Sequence, residues 1–215
     1  TIDNKASKPA VQTSDKPLAE NPARSDLTFA DDESFLQSRP SWLPKPSEQT
    51  TPTVPAETMI DLSVAKYPMN APLPADEKAT SIIAYKGQRL LNLMQGDKLL
   101  KSYAIDLGFN PVGHKLAEGD GKTPEGDYMI DWRNAQSKYY RSLHISYPNI
   151  EDRRVASLAG RDPGGAIMIH GRPNGLNDET PLGKDWTAGC LAVKNAQMDE
   201  IWSAVSDQTP ISIRP

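Results

Sequence analysis

Cysteine and histidine are scarce in this sequence. Its 215 residues include one cysteine, Cys190, and three histidines, His114, His144 and His170. One cysteine excludes an internal disulfide, and the two residue types together are too few for the usual zinc motifs. We therefore expect no metal and no cofactor. The lone thiol is then either a small buried side chain or a nucleophile.

The sequence also lacks an excess of positive charge and any long apolar segment. It has 24 Lys and Arg against 28 Asp and Glu, a net charge of -4, which argues against a nucleic-acid partner. No run of 18 apolar residues is present, so we expect no transmembrane segment in this chain. The first residues are polar and lack the apolar core of a signal peptide. A signal peptide that had already been removed would leave no trace in this sequence.

Glycine is absent from the first 75 residues, which contain 11 of the 19 prolines, whereas all 14 glycines come later. A segment rich in Pro, Ser, Thr and charge buries too little apolar surface to offset the entropy of ordering. We predict a Pro-rich linker or tether, disordered or extended, at residues 1–77 and a folded domain at 78–215. Residues 31–37 could form a helical turn or a docking motif within the linker. Deletion of residues 1–75 is expected to leave the fold intact.

Short apolar runs alternate with turn residues after residue 78. The runs at 81–86, 89–95 and 98–107 are separated by two-residue turns and predict a three-stranded antiparallel meander. Further strand candidates lie at 127–132, 142–146, 166–170, 190–193 and 211–213. Helices are predicted at 150–159 and from Asn195, which we expect to cap the second helix. The predicted fold class is mostly β with flanking helices (α+β).

The sequence suggests one pair of reactive residues, His170 and Cys190. An apolar strand leads into His170 and Gly171, and a turn leads into Cys190 at the start of another strand. A cysteine nucleophile needs a neighbouring imidazole and backbone amides aimed at the oxyanion, and Gly189 lets the chain turn so that such amides converge. Each residue alone fits a structural role, whereas the pair favours a thiol enzyme.

Longer segments around this pair resemble a known family. Residues 169–175 (IHGRPNG) and 183–195 (GKDWTAGCLAVKN) are similar to the active-site signature of L,D-transpeptidases with a YkuD-type catalytic domain. Upstream, 108–115 (GFNPVGHK) and 118–128 (EGDGKTPEGDY) are similar to the loop that precedes the site in one branch of that family. The resemblance covers about residues 78–215. It implies a mixed β-sandwich or barrel catalytic domain.

The resemblance also implies a reaction. Cys190 would attack the carbonyl between meso-diaminopimelate and the terminal D-alanine of a peptidoglycan tetrapeptide stem. His170 would take the thiol proton and return it to the leaving D-alanine, with the backbone carbonyl of Gly171 orienting the ring. The backbone amides of Ala188, Gly189 and Cys190 would form the oxyanion hole. An acceptor amine, or water, would then resolve the thioester.

Polar and aromatic residues near the pair are candidates for substrate binding. They are Arg172, Asn174, Asp185, Trp186, Thr187, Tyr140 and His114. Arg172 is the best candidate for the acidic groups of the substrate. Tyr139 and Tyr140 are either an aromatic wall of the cleft or core residues, and we assign His144 to structure.

The turn before the cysteine departs from the commonest family pattern. Many members carry Ser-His-Gly-Cys, whereas this chain has Thr187, Ala188, Gly189 and Cys190. This difference places the chain near a branch that includes hydrolases, one of which cuts an outer-membrane lipoprotein off peptidoglycan. We therefore expect L,D-transpeptidation, with an L,D-carboxypeptidase or an amidase that releases such a lipoprotein as the alternative.

A hypothesis from another class is a non-catalytic cell-wall-binding module in which Cys190 is merely buried. Thiol reactivity would separate it from an enzyme, because an accessible thiol of low pKa reacts quickly with alkylating agents. The order of His170 before Cys190 argues against a papain-like protease. Peptidoglycan stem peptides, and a lipoprotein linked to them, are the expected partners. Their position outside the inner membrane predicts a secreted, periplasmic protein.

Overall fold

The computed structural model describes residues 61–215, so the turn or docking motif predicted at 31–37 lies outside the described residues. The mostly β fold with two helices is confirmed. The strands are β1 (Ser81–Tyr85), β2 (Leu90–Gln95), β3 (Lys98–Ala104), β4 (Gly126–Ser137), β5 (Tyr140–Ile145), β6 (Met168–His170), β7 (Leu191–Ala192) and β8 (Pro210–Arg214). The helices are α1 (Ile150–Leu158) and α2 (Asn195–Ala204), and a short 3-10 helix spans Leu62–Val64.

The eight strands are hydrogen-bonded in the order β3-β2-β1-β8-β4-β5-β6-β7. The predicted meander of β1, β2 and β3 is present, with antiparallel pairing throughout. Gly96 has a φ of 59° in the β2–β3 turn, a left-handed conformation that glycine adopts without steric cost. The pairs β1–β8 and β6–β7 are parallel. The C-terminal strand β8 lies between β1 and β4, in the middle of the sheet.

One face of the β5–β6–β7 segment belongs to the apolar core. Leu143, Ile169 and Leu191 are paired across these three strands, and all three are fully buried. Because side chains alternate along a strand, the next residues point to the opposite face. Those residues include His170 at the end of β6. The core therefore fixes the orientation of this histidine.

The two helices begin with different caps. Asn149 caps α1 by accepting bonds from the backbone N–H groups of Glu151 and Asp152. Our assignment of Asn195 as the cap of α2 is wrong: the cap position is Lys194, and Asn195 is the first helical residue. The Asn195 side chain instead accepts a hydrogen bond from the backbone N–H of Arg172, at 2.8 Å. This bond ties α2 to the segment that follows β6.

Residues 61–77 lie on the linker side of the boundary that we place at residue 77, and they contact the domain. The backbone N–H groups of Lys66 and Tyr67 donate to the carbonyls of Leu99 and Leu100 on β3, each at 2.9 Å. Leu73 is buried in the core. The boundary itself stays a prediction. No helix within residues 61–215 is long and apolar enough to cross a membrane.

Candidate active site

His170 and Cys190 lie on neighbouring parallel strands. Ile169 pairs with Leu191 and His170 pairs with Ala192, so the same register places Cys190 beside Met168. Met168 and His170 are two residues apart on β6 and therefore share a face of the sheet. The imidazole and the thiol thus project from the same face, displaced by one pair of residues along the strands. Strand pairing accounts for this juxtaposition of residues that are far apart in sequence.

His170 is held in one orientation. Its side chain is almost fully buried, and its Nδ1 lies 2.6 Å from the carbonyl oxygen of Gly171. A carbonyl can only accept, so Nδ1 carries the proton and Nε2 is the nitrogen free to act as a base. The rings of Tyr139 and Trp186 lie 4.6 and 5.7 Å from the imidazole, measured between centroids. Burial lowers the pKa of His170, and the bond to Gly171 offsets this only in part.

Gly171 itself is fixed by close packing. Its N–H is directed at the carbonyls of Tyr139 and Arg141, at 3.1 and 3.2 Å. A Cβ at this position would lie 2.6 Å from the Asn195 side-chain oxygen and 2.9 Å from the Cβ of Tyr140. A side chain here would displace the carbonyl that orients the imidazole. The requirement for glycine therefore comes from space rather than from backbone conformation.

Cys190 contacts the backbone rather than the imidazole. Its Sγ lies 3.6 Å from the carbonyl oxygen of Ala166, and no hydrogen bond joins it to His170 within residues 61–215. Burial raises the pKa of Cys190, while the Met168 N–H and the positive charge of Lys115 act in the opposite direction. The raised pKa of the thiol and the lowered pKa of the imidazole both favour the neutral forms over a preformed thiolate–imidazolium pair. The thiol must rotate away from Ala166 to give its proton to the ring.

A compact turn precedes Cys190. The hydroxyl of Thr187 accepts a bond from the Gly189 N–H at 3.1 Å and donates to the Cys190 carbonyl at 2.8 Å. Gly189 has a φ of 138°, and a Cβ there would lie 2.7 Å from the carbonyl oxygen of Lys122. Because the Gly189 amide is used inside the turn, its inclusion in the oxyanion hole does not fit the structure. The amides of Ala188 and Cys190 have no acceptor among the described residues.

The loop between β3 and β4, residues 105–125, packs against this turn. Gly108 forms a bridge with Thr187, and its N–H donates to the Thr123 hydroxyl at 3.1 Å. Lys115 is buried, and its ammonium contacts the Asp120 carboxylate at 3.0 Å. The pKa of Asp120 is lowered to about 2: burial opposes ionisation, but the backbone N–H groups of 116, 117 and 122 and Lys115 outweigh it. The two family-like upstream segments therefore support the cysteine turn.

Arg172 and Trp186 each have one buried polar atom, Nε and Nε1 respectively, with no partner among residues 61–215. They line a cavity of about 180 Å³ together with Asp106, Ala192 and Gln197. Asp106 and Ala192 are bridge partners, and Ala192 pairs with His170 on its other side. Trp186 thus belongs both to the wall of this cavity and to the surroundings of the imidazole.

The other candidate substrate-binding residues are occupied within the fold. Asp185 holds the Arg89 guanidinium at 2.7 Å, and Tyr140 donates to Asp199 at 2.9 Å. Asn174 accepts a hydrogen bond from the Tyr140 N–H and donates one to the backbone carbonyl of Ser137. His114 accepts a hydrogen bond from the Glu125 N–H and contacts the Asp152 carboxylate at 3.1 Å. Thr187 is buried, with its hydroxyl used by the turn. These contacts hold the five side chains in place, and their role in substrate binding stays a prediction.

Several residues of the site are not identifiable from the sequence. Tyr139, rather than Tyr140, faces His170, and Lys115 is a buried cation close to Cys190. A pair of adjacent tyrosines gives no signal for which one faces the cleft. Lys115 lies 75 positions before the cysteine in a loop without periodicity, so nothing local indicates its proximity.

Comparisons with known proteins identify the family of this chain. The model of the YkuD family, the L,D-transpeptidase catalytic domain, matches residues 79–213. YafK of Escherichia coli strain K12, provisionally named an L,D-transpeptidase, is 32% identical over 128 residues, which are 57% of this chain and 45% of YafK. This chain thus spans less than half the length of that relative. The helical cell shape determining protein Pgp2 of Campylobacter jejuni is 26% identical, with a TM-score of 0.50 over 64% of this chain and 48% of Pgp2.

Proposed function

Because the chain belongs to the YkuD family of L,D-transpeptidase catalytic domains, we propose that it is a thiol enzyme that modifies peptidoglycan. Its donor is a tetrapeptide stem, cleaved between meso-diaminopimelate and the terminal D-alanine. The acyl group passes through Cys190 to an acceptor amine. The protein acts in the periplasm, where this substrate lies.

One observation carries this proposal. His170 and Cys190 project from the same face of adjacent strands, and the Nδ1 of His170 is bonded to the carbonyl of Gly171. This arrangement leaves Nε2 directed away from the backbone and neutral at physiological pH, since burial lowers the pKa of the imidazole. A neutral imidazole is the form that can accept a thiol proton. The exposed edge of the turn leaves room for a substrate carbonyl.

The reaction proceeds in two stages on these residues. Sγ of Cys190 attacks the carbonyl carbon while its proton passes to Nε2 of His170, and the amides of Ala188 and Cys190 stabilise the oxyanion. The C–N bond then breaks, and the same proton passes to the leaving D-alanine amine. In the second stage the acceptor loses a proton to His170 and attacks the thioester. The C–S bond breaks, and Sγ of Cys190 takes the proton back from His170, which regenerates the thiol.

Water is the alternative acceptor, which would make the protein an L,D-carboxypeptidase or an amidase that releases a peptidoglycan-linked lipoprotein. Ala188 favours this alternative, because it is exposed and its side chain offers no group to hold a peptide acceptor. For a carboxypeptidase the donor and the leaving D-alanine are the same as in transpeptidation, and the acceptor alone decides the name of the reaction. For an amidase the leaving group is instead the amine of the lipoprotein.

The test is product analysis by mass spectrometry. Purified tetrapeptide muropeptides and lipoprotein-linked muropeptides are incubated with the protein and with its Cys190→Ala variant. We expect dimers that have lost one D-alanine with the native protein and no product with the variant. Tripeptides or freed lipoprotein would instead assign the hydrolase. Unchanged substrates with the native protein would overturn the enzyme assignment and favour a wall-binding module.

A further inference from the structure

An exposed aromatic stack lies on the β4–β5 pair, outside the residues that the proposed reaction uses. The indole of Trp132 is nearly parallel to the imidazole of His144, with 14° between the ring planes and 4.7 Å between the centroids. The Nδ1 of His144 lies 2.6 Å from the Asp131 carboxylate, which holds the imidazole in place. Trp132 is nevertheless 43% exposed. One face of the indole is therefore supported by a fixed ring, while the rest of its surface is open to solvent.

Strand register connects this stack to the proposed nucleophile. Trp132 pairs with His144, His144 pairs with Met168, and the register of β6 and β7 places Met168 beside Cys190. Paired residues on neighbouring strands share a face of the sheet, so these four side chains form one row on the face from which the thiol projects. Neighbouring strands are about 4.8 Å apart, so three steps place Trp132 about 14 Å from Cys190. Trp132 is thus the far end of a row that begins at the thiol.

The proposed donor carries a sugar at a similar distance from its scissile bond. Three residues of a tetrapeptide stem precede that bond, and in extended form they cover about 10–11 Å. A short lactyl group then joins the first residue to a pyranose of the glycan strand. When the scissile carbonyl is at Cys190, a stem laid along the row therefore brings this pyranose to Trp132. A pyranose has an apolar face of C–H groups and a rim of hydroxyls, which suits a flat indole with a carboxylate beside it.

We propose that the stack of Trp132 on His144 binds the pyranose ring that carries the donor stem. The C–H face of the sugar packs on the open face of the indole. The Asp131 carboxylate, which is partly exposed, accepts a hydrogen bond from a sugar hydroxyl. This inference rests on the proposed function and deepens it, because it adds the glycan strand to the part of the substrate that the protein recognises. A free stem peptide lacks the group that the stack takes.

The first test compares a disaccharide tetrapeptide with the free tetrapeptide. We expect the native protein to prefer the disaccharide form by about tenfold in kcat/KM for the release of D-alanine, a magnitude typical of one aromatic stacking contact. In Trp132→Ala the disaccharide form should be slowed to the rate of the free tetrapeptide, whereas Trp132→Phe should keep part of the preference. Leu158→Ala, which removes an exposed apolar side chain from α1, should keep the native preference. An equal loss of turnover for both substrates in Trp132→Ala would assign Trp132 to structure and overturn the inference.

A second test does not depend on catalysis. The two ligands are titrated into the ¹⁵N-labelled Cys190→Ala variant while the indole N–H signals are recorded, with that of Trp132 assigned by Trp132→Phe. We expect the disaccharide tetrapeptide to shift the Trp132 signal far more than the free tetrapeptide does. The signal of Trp202, whose ring is covered by Arg133 and Arg141, should stay in place. Equal shifts with the two ligands, or none, would overturn the inference even if stems are cleaved. A sugar-dependent shift without turnover by the native protein would instead overturn the proposed reaction and leave the sugar site standing.

Discussion

At the scale of single residues, the protonation states of His170 and Cys190 determine the chemistry. Burial places the pKa of the thiol above its ordinary value of 9.0 and that of the imidazole below 6.5. We expect alkylation of Cys190 by iodoacetamide to be slow at neutral pH and to accelerate as the pH rises past about 9. His170→Ala should change this profile little. Fast alkylation near pH 6 that is lost in His170→Ala would contradict the neutral pair, since it would reveal a preformed ion pair.

Slow alkylation of Cys190 does not distinguish an enzyme from a wall-binding module. From the sequence, an enzyme is expected to carry a reactive thiol and a wall-binding module an inert one. In the structure, Cys190 is an ionisable group made less acidic by burial, so slow alkylation at neutral pH fits an enzyme as well. Turnover therefore separates the two hypotheses better than alkylation does.

The imidazole also sets the pH dependence of the reaction. Only neutral His170 can take the thiol proton, and burial lowers the pH at which the ring becomes protonated. We therefore expect the acid limb of kcat/KM to be centred below pH 6.5. The measurement is kcat/KM for a tetrapeptide stem across the acid range. An acid limb centred above pH 6.5 would show a raised pKa and contradict the assignment of a buried neutral base.

Gly189 is a further test at this scale. In Gly189→Ala we expect a loss of most activity and a lower Tm, because the new Cβ would meet the carbonyl of Lys122 at 2.7 Å. Gly175→Ala is the matched control: Gly175 also has a positive φ, of 90°, but a Cβ there meets nothing within 4 Å. The control should cost only the conformational strain, about 1–2 kcal/mol. Equal effects of the two substitutions in thermal unfolding and turnover assays would contradict the close packing of the turn.

At the scale of elements, the β3–β4 loop depends on the ionised Asp120. Its pKa of about 2 lies below the unfolded value of 3.8, so its contribution to the free energy of unfolding is complete above pH 3.8 and is lost as the pH falls to 2. We expect Asp120→Asn to lower stability near neutral pH and to remove part of this acid dependence, as measured by urea unfolding at several pH values. Asp97→Asn, in the exposed β2–β3 turn, is the control. Parallel stability curves for native and Asp120→Asn proteins would contradict this role.

The elements that sequence patterns predict best are those with apolar alternation. The β1–β2–β3 meander follows its apolar runs, whereas β4 extends to Ser137, past the predicted end at 132, because polar residues there pair with β5. Buried charges are also unpredictable from local sequence. Lys86 is buried because it meets the carboxylate of Glu125, 39 positions away, at 2.8 Å. The proposed catalytic pair, His170 and Cys190, is predictable because two strand ends and two glycines mark it.

At the scale of the whole molecule, the N-terminal boundary can be measured. Deletion of residues 1–75 removes the backbone bonds of Lys66 and Tyr67 to β3 and the burial of Leu73, whereas deletion of 1–60 keeps them. We expect the shorter protein to be less stable by about 2 kcal/mol or more, from the lost apolar burial alone. The measurement is the difference in urea midpoint between the two truncated proteins. Identical midpoints would instead support the predicted linker boundary at residue 77.

The family resemblance drawn from the sequence is confirmed by the match over residues 79–213. What the sequence could not supply is the assembly of distant segments around the site. The cavity lined by Trp186 combines Asp106 from the end of the meander, Arg172 from the segment after β6, and Gln197 from α2. No local pattern relates these three positions, because only the completed sheet brings them together.

The central claim is that Cys190 forms a covalent acyl-enzyme with a peptidoglycan stem. It is tested most directly by intact-protein mass spectrometry after rapid quenching of the native protein mixed with a tetrapeptide. We expect a mass increase equal to the tripeptide acyl group, located on Cys190 by peptide mapping and absent in Cys190→Ala. Release of D-alanine by the Cys190→Ala variant, or an adduct on any other residue, would contradict the account.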